Sequence, residues 1–165
     1  MPAAFDPACL LRVLDEHRVQ YVLIGGLAGA LHGSPAMTND ADIVPDPEDE
    51  NLERLATALR ALDARLRVEA DPDGVPFDPH PALLRTMRAL NTTTRCGDLD
   101  LTFSPAALDD YRALEAGSVT FEVAGVFVQV ASVADIIRSK EAAGRPKDHA
   151  TLPVLRALQE EIDGA

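Results

Sequence analysis

"YVLIGGLAGALHGSPAMTNDADIVPD" (residues 21–46) packs an apolar run, two adjacent glycines and two alternating aspartates into one short stretch. "YVLIGG" reads as a buried strand stopped by glycine. "LAGALHG" fits about two helical turns closed by Gly33, and "SPAMT" is a loop. "DADIV" is the next strand, with Ala41 and Ile43 on one face and Asp40 and Asp42 on the other, roughly 6–7 Å apart at Cα. Two like charges so placed repel each other unless a cation sits between them. The remainder of the chain bears on whether one does.

Upstream, Leu10, Leu11, Val13 and Leu14 predict a first helix within residues 6–17. Downstream, Asp46 and Pro47 are a helix start, with Glu48 and Asp49 favourable in the first turn. Leu52, Leu55, Ala56, Leu59 and Leu62 continue that helix at amphipathic spacing. "RLRVEA" is a further strand candidate. "DPDGVPFDPHP" carries four prolines in eleven residues and reads as a loop, followed by a short helix over 81–88. "ALNTTTRCGDLDLTF" predicts a hairpin turning at Cys96-Gly97, and "VTFEVAGVFVQV" another turning at Ala124-Gly125. "SVADIIRSKEAAG" predicts a helix capped by Ser132 and Gly144. Pro153 is incompatible with a helix interior, so a short turn from Lys147 and a last helix from about residue 153 are expected. The class is α/β (α+β), a mixed sheet flanked by helices.

With 165 residues and 47% apolar content, a single domain with a sizeable core is expected. The formal charge of −12 argues against a broad nucleic-acid footprint, which requires a basic patch. "MPAAFDPACLL" lacks a basic start followed by an apolar core, so no signal peptide is expected. The longest apolar run, Tyr21 to Leu31, is too short and too glycine-rich to cross a bilayer. Cys9 and Cys96 have no metal-ligand spacing and no secretory context, so reduced thiols in a cytoplasmic protein are expected.

A second "DLD", Asp98 and Asp100, repeats the alternation on a strand that can lie beside the first. A third carboxylate added to Asp40 and Asp42 makes a set of hard oxygen ligands suited to Mg²⁺. Gly25 and Gly26, ending a strand and opening a helix, let a backbone approach a ligand closely and offer N–H groups to phosphate. Phosphoryl-type transfer needs this pairing of positioning and charge neutralisation. Each element also has an ordinary reading. A lone D-x-D is usually solvated surface, Gly-Gly is usually a tight turn, and Gly25, Gly29 and Gly33 fit close helix packing. The dinucleotide pattern fails, because Ile24 stands where its first glycine would be. The ordered combination carries the case.

That combination resembles the nucleotidyltransferase superfamily of the DNA polymerase β type. The superfamily pattern is a hydrophobic residue, Gly, Gly or Ser, about nine to thirteen residues, then Asp, hydrophobic, Asp or Glu, hydrophobic. Here Ile24-Gly25-Gly26 is followed after thirteen residues by Asp40-Ala41-Asp42-Ile43. Within that superfamily the chain looks most like small stand-alone bacterial proteins related to the AbiEii toxin group, through "IGGLAGALHGSP", "TNDADIV", "GDLDLTF" and "VASVADIIRSKEAAGRPKDHATLPVL". The resemblance implies a nucleotidyltransferase-like fold and transfer of a nucleoside monophosphate from an NTP to an acceptor hydroxyl: an RNA end, a protein or a small molecule. It implies that Asp40 and Asp42 ligate Mg²⁺, and that Asp100 either ligates the metal or takes the acceptor's proton. It further implies that Gly25 and Gly26 hold the triphosphate with Thr38 nearby, that Lys140 and Lys147 neutralise phosphate charge, and that Asp148 orients them. A toxin–antitoxin or phage-defence setting, with a cognate antitoxin as partner, follows only from the resemblance. Ala36 departs from the pattern, since related proteins often carry a basic residue there. A non-catalytic module that keeps the fold and the nucleotide pocket is the alternative, and a plain structural protein with solvated aspartates is the third.

Overall fold

The computed structural model describes residues 2–104 and 110–165. Along the chain run α1 (Pro7–Glu16), β1 (Tyr21–Ile24), α2 (Gly25–Leu31), β2 (Asp40–Pro45), α3 (Asp49–Ala61), β3 (Arg65–Val68), β4 (Asp71–Val75), α4 (Pro81–Thr86), β5 (Ala89–Thr94), β6 (Gly97–Thr102), α5 (Tyr111–Ala116), β7 (Val119–Val123), β8 (Val126–Val130), α6 (Val133–Ala143) and α7 (Pro146–Asp163). The strands form one mixed sheet in the order β4-β3-β5-β6-β2-β1-β8-β7. β1 is buried at every residue, as expected of a strand covered on both faces. β2 and β6 lie beside each other in parallel, with Asp40 opposite Asp98 and Asp42 opposite Asp100. Ala41, Ile43, Leu99 and Leu101 are buried while the intervening aspartates are less so, so the alternation puts all four carboxylates on one face.

Local signals set most of the element ends. Asp6 caps α1 by accepting from the Cys9 N–H, and Ser132 caps α6 by accepting from Asp135 N–H. Gly144 closes α6 in the left-handed conformation. Asn51, fully buried on α3, bonds both backbone groups of Gln20 and the Asp46 carbonyl at 2.7–2.8 Å. One side chain thereby ties the entry of β1 to the exit of β2. A Cβ at Gly29 or Gly33 would sit at ordinary contact distance from Leu155 or Leu158 of α7, 3.6 and 3.8 Å, so close helix packing does not by itself require glycine at either position.

Four expectations need correction. The proline-rich segment is not all loop, since Asp71–Val75 forms β4. β4 is the sheet's edge, where a proline's missing N–H is tolerated, and the β3–β4 register is irregular between Leu66 and Val68. The first hairpin turns at Arg95-Cys96, one residue earlier than expected, because Gly97 pairs with Thr94. Gly97 has φ +103, and a Cβ there would come within 2.7 Å of Phe5 Cα. Pro153 lies inside the continuous helix α7. Leu152 and Leu155 are buried on either side of it, while Pro153 itself is exposed and has no N–H to donate to the His149 carbonyl. Tertiary burial overrides the local break there. Finally, Cys9 and Cys96 are not free thiols but form a disulfide, with Cα atoms 5.7 Å apart. It ties α1 to the β5–β6 turn.

Among the described residues no helix is long and apolar enough to cross a membrane. The short helix α5, capped by Asp110, was not anticipated from the sequence.

Candidate active site

The aspartate face of β2 and β6 floors a cleft with two contiguous arms, of about 490 and 310 Å³. Gly25, Asp40, Asp42, Asp100, Lys140, Arg145 and Lys147 line both arms. Gly26 and Thr38 line only the smaller arm, together with Ala36 and the almost fully exposed Met37. Asp148 does not line the cleft. It stands behind the wall with no solvent exposure, holding Arg145 (2.7 and 3.3 Å) and Lys140 (3.5 Å).

Each of these positions has a local cause. Gly25 sits at φ +73, and a Cβ there would lie 2.4 Å from Asp42 Oδ2. The first glycine therefore gives the turn its backbone conformation and gives the second aspartate its room. Gly26 similarly faces the Thr38 hydroxyl, 3.1 Å from where its Cβ would be. Thr38 donates to the Asp40 carbonyl at 3.0 Å, fixing the loop to the start of β2. Arg145 and Lys147 are brought over the aspartates by the α6–α7 turn, which Gly144 and the Asp148 contacts shape.

The electrostatics explain why the aspartates want a cation. Burial, then the charges of Asp40 and Asp100, push the Asp42 pKa up to about 7, against the opposing pull of Lys147 and Arg145. Asp100 is also raised, by burial first, with Arg67 working against it and Asp40 and Asp98 adding to it. Burial would raise Asp148 too, but the hydrogen bonds and charges of Arg145, with Lys140, outweigh it and hold its carboxyl below the ordinary range. Asp100 Oδ1 is shielded from solvent and accepts no hydrogen bond of acceptable angle, although Arg67 Nη2 lies 2.8 Å away. Among the described residues no three His, Cys, Asp or Glu converge tightly enough to hold an ion by themselves. The donor set nevertheless fits Mg²⁺ brought with a nucleotide, because that ion is commonly held by one or two carboxylates plus substrate phosphates and water, not by an all-protein cage.

The cleft also contains residues outside the sequence-based set. Arg67, Asn91, Thr102, Asp135, Ile136, Ser139 and Ala143 line only the larger arm. Thr102 was legible as the next member of the Asp98-Asp100 stripe. Asn91 was not, because the expected turn at Cys96-Gly97 would set Thr93 opposite Asp100, whereas the observed register sets Asn91 there. Arg67 had no local signal, whereas Arg145 belongs to the basic cluster Arg138, Lys140, Arg145 and Lys147, which is visible in the sequence. His32, by contrast, is structural: its Nε2 is 2.8 Å from the Ala131 carbonyl, and its ring packs edge-on against Phe121.

No protein-family model matches the chain, and neither does any curated protein. Solved structures do. An antigenic nucleotidyltransferase-like protein from Paracoccidioides brasiliensis is 20% identical with a TM-score of 0.58, over 96% of this chain and 78% of that one. The lincosamide antibiotic adenylyltransferase LnuA, solved with lincomycin bound, is 14% identical with a TM-score of 0.56, over 94% and 99%. ANT(2")-Ia in complex with adenylyl-2"-tobramycin is 18% identical with a TM-score of 0.51, over 94% and 93%. At these identities the likeness is one of architecture: the chain has the mixed α/β, nucleotidyltransferase-like fold.

Proposed function

We propose that this protein is a Mg²⁺-dependent nucleotidyltransferase that moves a nucleoside monophosphate from an NTP to an acceptor hydroxyl. The observation that carries this reading is the in-register pairing of β2 with β6, which sets Asp40, Asp42 and Asp100 on one face of a cleft. The Gly25-Gly26 turn and Thr38 bound the triphosphate arm, and Lys140, Arg145 and Lys147 supply positive charge opposite the carboxylates. Arg145 provides charge at a site where the Ala36 side supplies none. Asp148 acts from behind by fixing Lys140 and Arg145. Mg²⁺, held by Asp40, Asp42 and Asp100 with phosphate oxygens, would neutralise charge on the phosphates. The acceptor oxygen forms its bond to the α-phosphorus as the bond to the pyrophosphate oxygen breaks, pyrophosphate leaves, and the hydroxyl proton passes to Asp100.

A small-molecule hydroxyl is the acceptor best supported. The larger arm has the volume of a small-ligand pocket, and the −12 charge disfavours a long RNA. Of two similar folds, one is a lincosamide antibiotic adenylyltransferase and the other was solved with adenylyl-2"-tobramycin. The four sequence blocks support kinship with the AbiEii toxin group, whose setting would instead require an RNA or protein acceptor and a cognate antitoxin. An NTP substrate supports a cytoplasmic location. Incubation with each α-labelled NTP, Mg²⁺ and separate panels of aminoglycosides, lincosamides, total RNA and lysate protein tests the proposal, with Asp40→Asn/Asp42→Asn as control. Label on a small molecule with wild type only is the expected result. Label on RNA or protein moves the function to the toxin class, and nucleotide binding without transfer in any panel makes the protein a binding module.

A further inference from the structure

Arg67 lies on β3, two strands away from β6, yet its side chain reaches across β5 to the aspartate face. Its Nη1 donates to the Thr92 carbonyl at 3.1 Å and stands 3.4 Å from Asp98 Oδ2, while Nη2 is 2.8 Å from Asp100 Oδ1. Two of these three anchors do not involve Asp100, so the guanidinium is held whether or not Asp100 is engaged elsewhere. Asp100 Oδ1 is the oxygen closed off from solvent, and Arg67 is its only ion-pair partner among the described residues. The oxygens that would surround a divalent ion therefore already face a fixed positive charge, and one of them is turned toward it.

We propose that Arg67 is a positioning residue that makes metal binding depend on the nucleotide. It occupies one oxygen of Asp100 and partly neutralises the carboxylate cluster. A bare divalent cation then finds only Asp40, Asp42 and a single remaining oxygen of Asp100, next to a guanidinium that repels it. A nucleoside triphosphate brings additional phosphate oxygens and negative charge, which restore the balance. The charge of the guanidinium, more than its shape, sets this threshold, so lysine at the same position keeps most of it. The inference rests on the metal-dependent reading of the cleft, but it is tested by metal binding and requires no turnover.

Mn²⁺ serves as the probe, with free ion followed by electron paramagnetic resonance at pH 8. Nucleotide-free wild type is expected to bind Mn²⁺ no tighter than the millimolar range, and to bind it at least tenfold tighter when a non-hydrolysable NTP analogue is present, after subtraction of the ion that the analogue holds in a protein-free titration. Arg67→Met without nucleotide is expected to gain at least tenfold in Mn²⁺ affinity, Arg67→Lys to stay within about threefold of wild type, and Arg67→Met/Asp100→Asn to lose the gain. Circular dichroism checks that each variant is folded, and Arg67→Gln replaces Arg67→Met if the latter is not. Micromolar Mn²⁺ binding by nucleotide-free wild type overturns the proposal, as does unchanged or weaker binding by the uncharged variants. Wild type that fails to bind Mn²⁺ even with the analogue also overturns the proposal, whereas wild type that gains Mn²⁺ affinity with the analogue but transfers nucleotide to no acceptor leaves the Arg67 proposal standing while the catalytic reading falls.

Discussion

Replacing Asp42 with asparagine removes a charge while keeping the side chain's shape, and its effect on stability should depend on pH. The unfolded chain ionises Asp42 near 3.8, whereas the folded chain does so only near 7. Between those values the folded state holds the extra proton, so stability falls as pH rises and levels off above the folded pKa. The displacement corresponds to about 4 kcal/mol in total, of which about 2–3 kcal/mol is lost between pH 5 and pH 8. Asp42→Asn lacks this loss and also relieves the repulsion felt by Asp40 and Asp100. The stability of the variant minus that of wild type should therefore rise by about 2–3 kcal/mol from pH 5 to pH 8 in EDTA. Urea unfolding at both pH values measures it, read by far-UV circular dichroism because the chain has no Trp. Adding Mg²⁺ with a non-hydrolysable NTP analogue at pH 8 should stabilise wild type and leave the variant unmoved. A difference that stays flat or falls with pH would refute the reasoning, since Asp42 would then be an ordinary solvated carboxylate.

Gly25→Ala should cost about 2–4 kcal/mol, combining a left-handed backbone with a Cβ that displaces Asp42. Gly26→Ala, which meets only the Thr38 side chain, should cost less than half as much, and thermal melts of the two variants compare them. Asp148→Asn should destabilise the α6–α7 junction at pH 7 by about 3 kcal/mol. Because the folded Asp148 pKa is lowered, that cost should be constant above about pH 5 and shrink as the pH falls below the unfolded value near 3.8, which acid titration of both proteins would reveal. Reduction of Cys9–Cys96 reopens a loop spanning 87 residues and should remove up to about 4–5 kcal/mol on a chain-entropy account. Urea midpoints with and without dithiothreitol check this, and Cys9→Ser/Cys96→Ser should show no such difference.

The floor of the cleft was legible because its signals are local. Glycines stop β1, period-2 alternation exposes Asp40 and Asp42, and the same alternation recurs at Asp98 and Asp100. The walls were partly legible, through Lys140 and Lys147 near the two ends of a recognisable helix–turn. Arg67 was hidden, because nothing in "RLRV" states that β3 will lie beside β5, within reach of β6. The Cys9–Cys96 pair was hidden for the same reason, its partners being far apart in sequence. Pro153 and Pro72 of β4 misled by being read locally: burial of Leu152 and Leu155 carries α7 through the first, and an edge position excuses the second.

The division between floor and walls bears on how this protein could be retooled. The three aspartates are spaced by the backbone of two central strands, whereas Asn91, Thr102 and Ser139 project from the larger arm on their own side chains. Substituting the latter changes the shape and polarity that an incoming molecule meets without altering the spacing of the former. Under the proposed function, the reaction rests on the spacing of the strands and the selectivity on side chains that stand beside Asp100, Asn91 opposite it and Thr102 two residues beyond it on β6. A library confined to Asn91, Thr102 and Ser139 can vary what is accepted while the chemistry beneath it stays in register.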